Sequence, residues 1–159
     1  IPIYYNHLRT GRPYSGFWAT TKYVDCVNEP LYPFGYGLSY NRYTYGKPVL
    51  DKKKARGDDD VVTLSIDITN TGKYTGKEVV QLYIGDPEAS VSRPVIELKD
   101  FQKVDFAPGE TKTVTFRITT EQLKFYNQDL KYDWEAGKFN ISVGPNSREP
   151  QKLTMTWDK

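Results

Sequence analysis

From Lys47 onward the chain alternates apolar and polar residues in short runs, separated by turn residues at intervals of roughly ten, and this pattern predicts an all-β sandwich. The clearest run spans 61–69, where Val62, Leu64, Ile66 and Ile68 share one face and Thr63, Ser65, Asp67 and Thr69 the other. Asn70, Thr71, Gly72, Thr75 and Gly76 then supply a turn. Residues 78–84 carry apolar side chains on both faces, with Val79 and Tyr83 opposite Val80, Leu82 and Ile84, as an interior strand would. The run 97–106 breaks period two, which predicts a bulge near Asp100. Pro108, Gly109 and Glu110 turn the chain into 111–119, whose Val114, Phe116 and Ile118 point one way, so the two runs are expected to form a hairpin. Phe139, Ile141 and Val143, then Leu153, Met155 and Trp157, close the pattern; with 48–50 this makes about seven strands. Residues 120–124 allow at most one helical turn.

Residues 1–45 follow neither period and are crowded with Pro, Gly and Tyr, so they read as an extended, irregular arm. The expected division is an arm over 1–46 and a sandwich over 47–159 that folds without it. The arm carries Tyr4, Tyr5, Tyr14, Phe17, Trp18, Tyr23, Tyr32, Phe34, Tyr36, Tyr40, Tyr43 and Tyr45. These rings either stack on sugars or seal the arm against the sandwich and a neighbouring domain, and the second reading is favoured.

With 22 Lys and Arg against 20 Asp and Glu, charge suggests no nucleic-acid partner. The cluster Lys52, Lys53, Lys54 and Arg56 runs into Asp58, Asp59 and Asp60 and reads as a solvated loop, with calcium binding a weaker alternative. No apolar run is long enough for a membrane span. Cys26 is alone, so burial rather than a disulfide must hold the fold, and it is expected to be a small buried or half-buried group with no role. A chain opening on Ile1, Pro2 and Ile3 is expected to be a piece of something longer.

Two motifs carry a resemblance. Residues 30–40, Pro-Leu-Tyr-Pro-Phe-Gly-Tyr-Gly-Leu-Ser-Tyr, resemble the linker that leaves the second catalytic domain of family 3 glycoside hydrolases, the β-glucosidases and β-xylosidases. Residues 76–84, Ser92-Arg93-Pro94, Glu97-Leu98-Lys99 and 108–111 resemble the fibronectin type III-like domain of the same enzymes, and Thr10-Gly11-Arg12-Pro13 extends the likeness towards the start of the chain. The resemblance implies an immunoglobulin-like, fibronectin type III-like sandwich at the C-terminal end of a secreted or periplasmic, retaining exo-β-glycosidase. Its partners would be the catalytic domains of the same parent chain. Two departures stand out: Asp100 where the family often has Gly, and Phe139 where such domains often carry a tyrosine corner, which should leave that corner resting on packing.

The chemistry expected of this stretch alone is slight. A retaining glycosidase needs two carboxyl groups about 5 to 5.5 Å apart. The family nucleophile lies in a Ser-Asp-Trp context, whereas the Asp-Trp pair here, Asp133-Trp134, follows Tyr132. Asp133 and Glu135 therefore read as solvated carboxylates in a loop. His7 is the sole histidine, so neither a triad nor a histidine-based metal site can be assembled, and no cofactor or metal is expected. Tyr126, Tyr132 and Trp134, beside Phe125, form the candidate sugar or domain contact. The expected function is a structural accessory domain. A carbohydrate-binding module for β-linked oligosaccharide is the rival, and a generic adhesion sandwich a weaker third.

Overall fold

The computed structural model describes residues 3–9, 22–23 and 25–159; Tyr14, Phe17, Trp18 and the motif at 10–13 lie outside them. Alternation dictates the central strand, β4 (Val62–Asn70), which buries Val62, Leu64, Ile66 and Ile68 and turns its threonines outward. Along one edge β4 pairs antiparallel with β7 (Thr111–Ile118). Its other edge is shared by two short strands, β1 (Tyr43–Tyr45) at its C-terminal end and β2 (Val49–Leu50) nearer its start.

The second sheet runs β3 (Lys54–Arg56), β11 (Gln151–Asp158), β10 (Gly137–Gly144), β5 (Gly76–Gly85), β6 (Glu97–Phe106). All its pairings are antiparallel except β3 with β11, and β5 is interior as expected. The core lies between the sheets: Val114, Phe116 and Ile118 join the β4 face, and Val80, Leu82, Ile84, Phe106, Phe139, Ile141, Val143, Met155 and Trp157 oppose them. Phe139 is fully enclosed there. Residues 120–123 form one 3-10 turn, and a small hairpin, β8 (Phe125–Tyr126) with β9 (Tyr132–Asp133), lies apart.

The expected bulge is present. Leu82 faces Asp100 and Tyr83 faces Leu98, so Lys99 is the extra residue of β6. The expected hairpin of 97–106 with 111–119 is not. β6 pairs with β5 and β7 with β4, so the turn at Pro108-Gly109-Glu110, with Gly109 at φ +75°, carries the chain from one sheet to the other. Alternation tells which side of a strand is buried but not which strand lies beside it. Here Phe106 and Val114 enter one core from opposite sheets.

Two further expectations change. The basic run is not all loop, because Ala55 is buried and β3 pairs with the end of β11. The first strand also lies ahead of Gly46: Tyr43 and Tyr45 pack against the core, Gly46 donates to the Asp67 carbonyl at 2.7 Å, and Thr71 N–H donates to the Arg42 carbonyl at 2.8 Å. Three residues are too few to show period two, so β1 left no signature in the sequence pattern.

Candidate functional site

The arm crosses the outer face of the five-stranded sheet because β5 presents a second covered face. Gln81 and Tyr83 point away from the core yet are buried, and the Tyr83 hydroxyl donates to Gln81 Oε1 at 2.5 Å. Gln81 Nε2 in turn donates to the carbonyls of Pro145 at 2.6 Å and Gly35 at 3.1 Å. Gly35 has φ +79°, and a Cβ there would lie 1.9 Å from Gln81 Oε1, so this close approach requires glycine. Tyr5 stacks on Phe34 with ring centroids 4.0 Å apart and meets Tyr83 edge-on at 5.9 Å. Burial pushes the Tyr83 hydroxyl well above its ordinary titration range. Ser147 N–H donates to the Phe34 carbonyl at 3.0 Å, and Arg148 pairs with Glu29 at 3.1 Å.

The opposite side of the same segment faces solvent. Tyr40 is 98% exposed and Leu38 89%, with Leu31, Tyr32 and Tyr36 also outward. The arm aromatics thus divide: Tyr5, Tyr43 and Tyr45 seal the sandwich, while the outward group forms an apolar surface that the sandwich does not cover.

The three candidate contact residues separate as well. Trp134 is 2% exposed, lies edge-on to Trp157 at 6.2 Å, and donates its indole N–H to Asp58 Oδ1 at 2.6 Å, so it is a core residue with no ring face for a sugar. Tyr126 and Tyr132 remain outward on the small hairpin, 67% and 57% exposed, their rings 5.1 Å apart and inclined at 49°. That tilt makes them a wedge rather than a flat platform.

The carboxylates are engaged by structural donors. Asp133 accepts from the Trp134 backbone N–H at 2.8 Å and meets Lys159 at 3.4 Å; these donors hold its carboxyl below the usual range. Glu135 takes both donors of Ser90, its N–H at 2.8 Å and its hydroxyl at 2.5 Å. Asp60 is held low chiefly by Lys52, with the backbone N–H groups of Arg56 and Val61 adding to it. Among the described residues no group of three or more His, Cys, Asp or Glu side chains is placed to hold a metal ion. His7 binds the Leu8 carbonyl through Nδ1 at 2.8 Å. Cys26, expected to be at least half-buried, is exposed. No helix among the described residues is long and apolar enough to cross a membrane.

Sequence periodicity missed the polar side chains that fix this geometry. Asn70 is fully buried at the end of β4, where it accepts from Gly72 N–H at 2.9 Å and donates to the Tyr74 carbonyl at 2.8 Å. Asn41 accepts from Tyr74 N–H at 3.1 Å on the same turn. A polar residue inside an otherwise apolar run, as Gln81 is within 79–84, was the available signal.

Two sheets enclosing one core, with a chain crossing at Gly109, define an immunoglobulin-like sandwich, and residues 78–147 match the Fibronectin type III-like domain family. Over nearly its full length the chain resembles the C-terminal part of family 3 glycoside hydrolases, the β-glucosidases and β-xylosidases. It is 51% identical to a periplasmic β-glucosidase of Salmonella typhimurium over 92% of this chain and 20% of that protein. A β-xylosidase of Formosa agariphila is 46% identical over 80% of this chain and 17% of its own length. The crystal structure of a β-glucosidase from Listeria innocua in complex with isofagomine superposes with a TM-score of 0.91 at 41% identity, over 100% of this chain and 22% of that one. The chain therefore spans about a fifth of the length of these relatives.

Proposed function

We propose that this chain is the C-terminal accessory domain of an exo-acting, retaining β-glycosidase of β-glucosidase or β-xylosidase type, exported to the periplasm or beyond the cell, and that it contributes structure rather than catalysis. The observation that carries this reading is the outward face of the arm. A sandwich that closes its own core still leaves Leu31, Leu38 and Tyr40 in water, a cost that docking against the rest of the parent chain removes. The occupied state of Asp133 and Glu135 supports the absence of a catalytic pair, and the named activities and periplasmic description of the relatives support the class and compartment.

The test uses the catalytic remainder of the parent enzyme, produced without this stretch. Mixed with the 159-residue chain it should form a complex on size exclusion, and Leu38→Asp with Tyr40→Asp should abolish it. Unaltered co-elution of that double variant would overturn the docking face. The chain alone should not hydrolyse aryl β-glucosides or β-xylosides; turnover lost on Asp133→Asn or Glu135→Gln would sink the non-catalytic reading.

A further inference from the structure

The stretch of arm that carries Leu38 and Tyr40 spans two fixed points. Gly35 is held by the Gln81 amide at 3.1 Å, and the buried Asn41 accepts from Tyr74 N–H at 3.1 Å. Between them, among the described residues, no hydrogen bond ties the backbone of 37–40 to the sandwich. Open space lies on both sides of this strap, a cavity of about 610 Å³ and a smaller one of about 200 Å³, and Leu38, Ser39 and Glu78 line both. A partner seated on Leu38 therefore also covers the mouths of the two cavities.

The lining of the larger cavity holds two carboxylates, Glu78 and Glu149, and no cation. Half-buried Glu78 has one partner, the Tyr45 hydroxyl at 2.7 Å on Oε1, and burial without a neighbouring cation raises its carboxyl above the ordinary range. Glu149 is exposed and forms no ion pair among the described residues, while the adjacent Arg148 is spent on Glu29 at 3.1 Å. Around Glu78 the strap brings no charged side chain, β1 brings Tyr43 and Tyr45, and Val104 lies opposite it on β6. Its strand neighbour Lys77, which lines the smaller cavity, meets Asp105 at 3.4 Å. A carboxylate withdrawn from water with no cation is costly, and covering the cavity raises that cost further.

We propose that the larger cavity is the socket of the docking face, and that the catalytic remainder of the parent chain places a lysine or arginine side chain in it, between Glu78 and Glu149. This rests on the docking reading and adds the chemistry of the partner group. Charge complementarity selects a cation: the two carboxylates face one space, and the Tyr43 and Tyr45 rings on its wall suit a cation as well. Continuity selects the occupant, because Leu38 belongs both to the apolar face and to the rim of the cavity. The apolar side chains would supply area to the contact, and the buried ion pair its register.

The test measures the affinity of the 159-residue chain for the catalytic remainder by calorimetry, with the melting point of the chain alone read beside it. Glu78→Gln keeps an acceptor for the Tyr45 hydroxyl and removes the charge. It should weaken docking about ten-fold or more while raising the melting point of the free chain, opposite signs that a purely structural role would not give. Glu149→Gln should weaken docking by a smaller factor, since that carboxylate is exposed. Docking of the unaltered chain should also weaken from pH 8 to pH 5, as Glu78 takes up a proton, and Glu78→Gln should flatten that slope. Absence of any complex would overturn the docking reading and this inference with it. A complex whose affinity Glu78→Gln leaves unchanged or strengthens, or one that tightens as the pH falls, would overturn the basic side chain alone and leave the docking face standing.

Discussion

Tyr45 lies one residue before the turn at which the sandwich was expected to begin, and its hydroxyl donates to Glu78 Oε1 at 2.7 Å across the two sheets. Replacing it by phenylalanine keeps the ring against the core and removes this one bond. Hydrogen bonds to charged groups contribute about 1.5–3 kcal/mol, and partial exposure of the carboxylate reduces the expected loss to about 1–2 kcal/mol at neutral pH. For a chain of this size that lowers the melting temperature by about 3–6 °C. The effect should depend on pH in a definite direction. Burial raises the Glu78 carboxyl above its ordinary 4.5, while the Tyr45 hydroxyl opposes the rise. Below 4.5 Glu78 is protonated in both the folded and the unfolded chain and its titration contributes nothing. As pH climbs, the unfolded chain ionises first, so stability is lost between 4.5 and the raised folded value. Removing the hydroxyl raises that folded value further and deepens the loss. The gap between Tyr45→Phe and the unaltered chain should therefore be small near pH 4 and full by pH 7, and Glu78→Gln should melt higher than the unaltered chain at pH 7. Thermal unfolding followed by circular dichroism across this range reads both. An equal penalty at both pH values, or none at either, would refute the assignment of the pair and with it the inclusion of β1 in the fold.

A chain beginning at Asn41 should unfold cooperatively, whereas one beginning at Lys47 should melt several degrees lower, because it lacks the Tyr43 and Tyr45 rings and the Asn41 contact to Tyr74. Comparative melting of the two decides this, and equal midpoints would restore the boundary at Gly46. Trp134→Phe should cost about 2–3 kcal/mol by losing the Asp58 bond and core volume, while Tyr132→Ala should stay within about 0.5 kcal/mol, as denaturant midpoints will report. Gly35→Ala should release the arm, since the new Cβ meets Gln81 at a backbone angle that favours glycine; faster trypsin cleavage at Arg42 would show it.

The long alternating runs were readable because each is long enough to show its period: β4, β7, β10 and β11 fall where the pattern put them, and the broken period at Asp100 located the bulge one residue away. What the pattern could not convey was partnership. Phe106 and Val114 are apolar and inward in a hairpin and in a crossing alike, so the turn between them was assigned to the wrong topology. Short strands such as β1 and β3 draw their order from tertiary contacts rather than from periodicity. Trp134 illustrates the limit for sites: beside Tyr132 it looked like part of an exposed aromatic group, yet one backbone step turns it into the core and onto Asp58.

The crossing at Gly109 leaves β6 and β7 as neighbouring rims of opposite sheets, and side chains stitch them: Gln102 Nε2 donates to the Thr115 carbonyl at 2.6 Å and Lys112 Nζ to the Asp105 carbonyl at 2.7 Å. The other rims are β3, three residues long, and the broken edge formed by β1 and β2. Among the described residues β1, β2 and β3 are too short to offer a foreign strand a long row of backbone groups, and on the longer rims the Thr115 and Asp105 carbonyls are already taken. The tendency of the chain to cluster in concentrated solution should accordingly be set more by Leu31, Leu38 and Tyr40 than by its strand edges, and should fall when those three side chains are made polar.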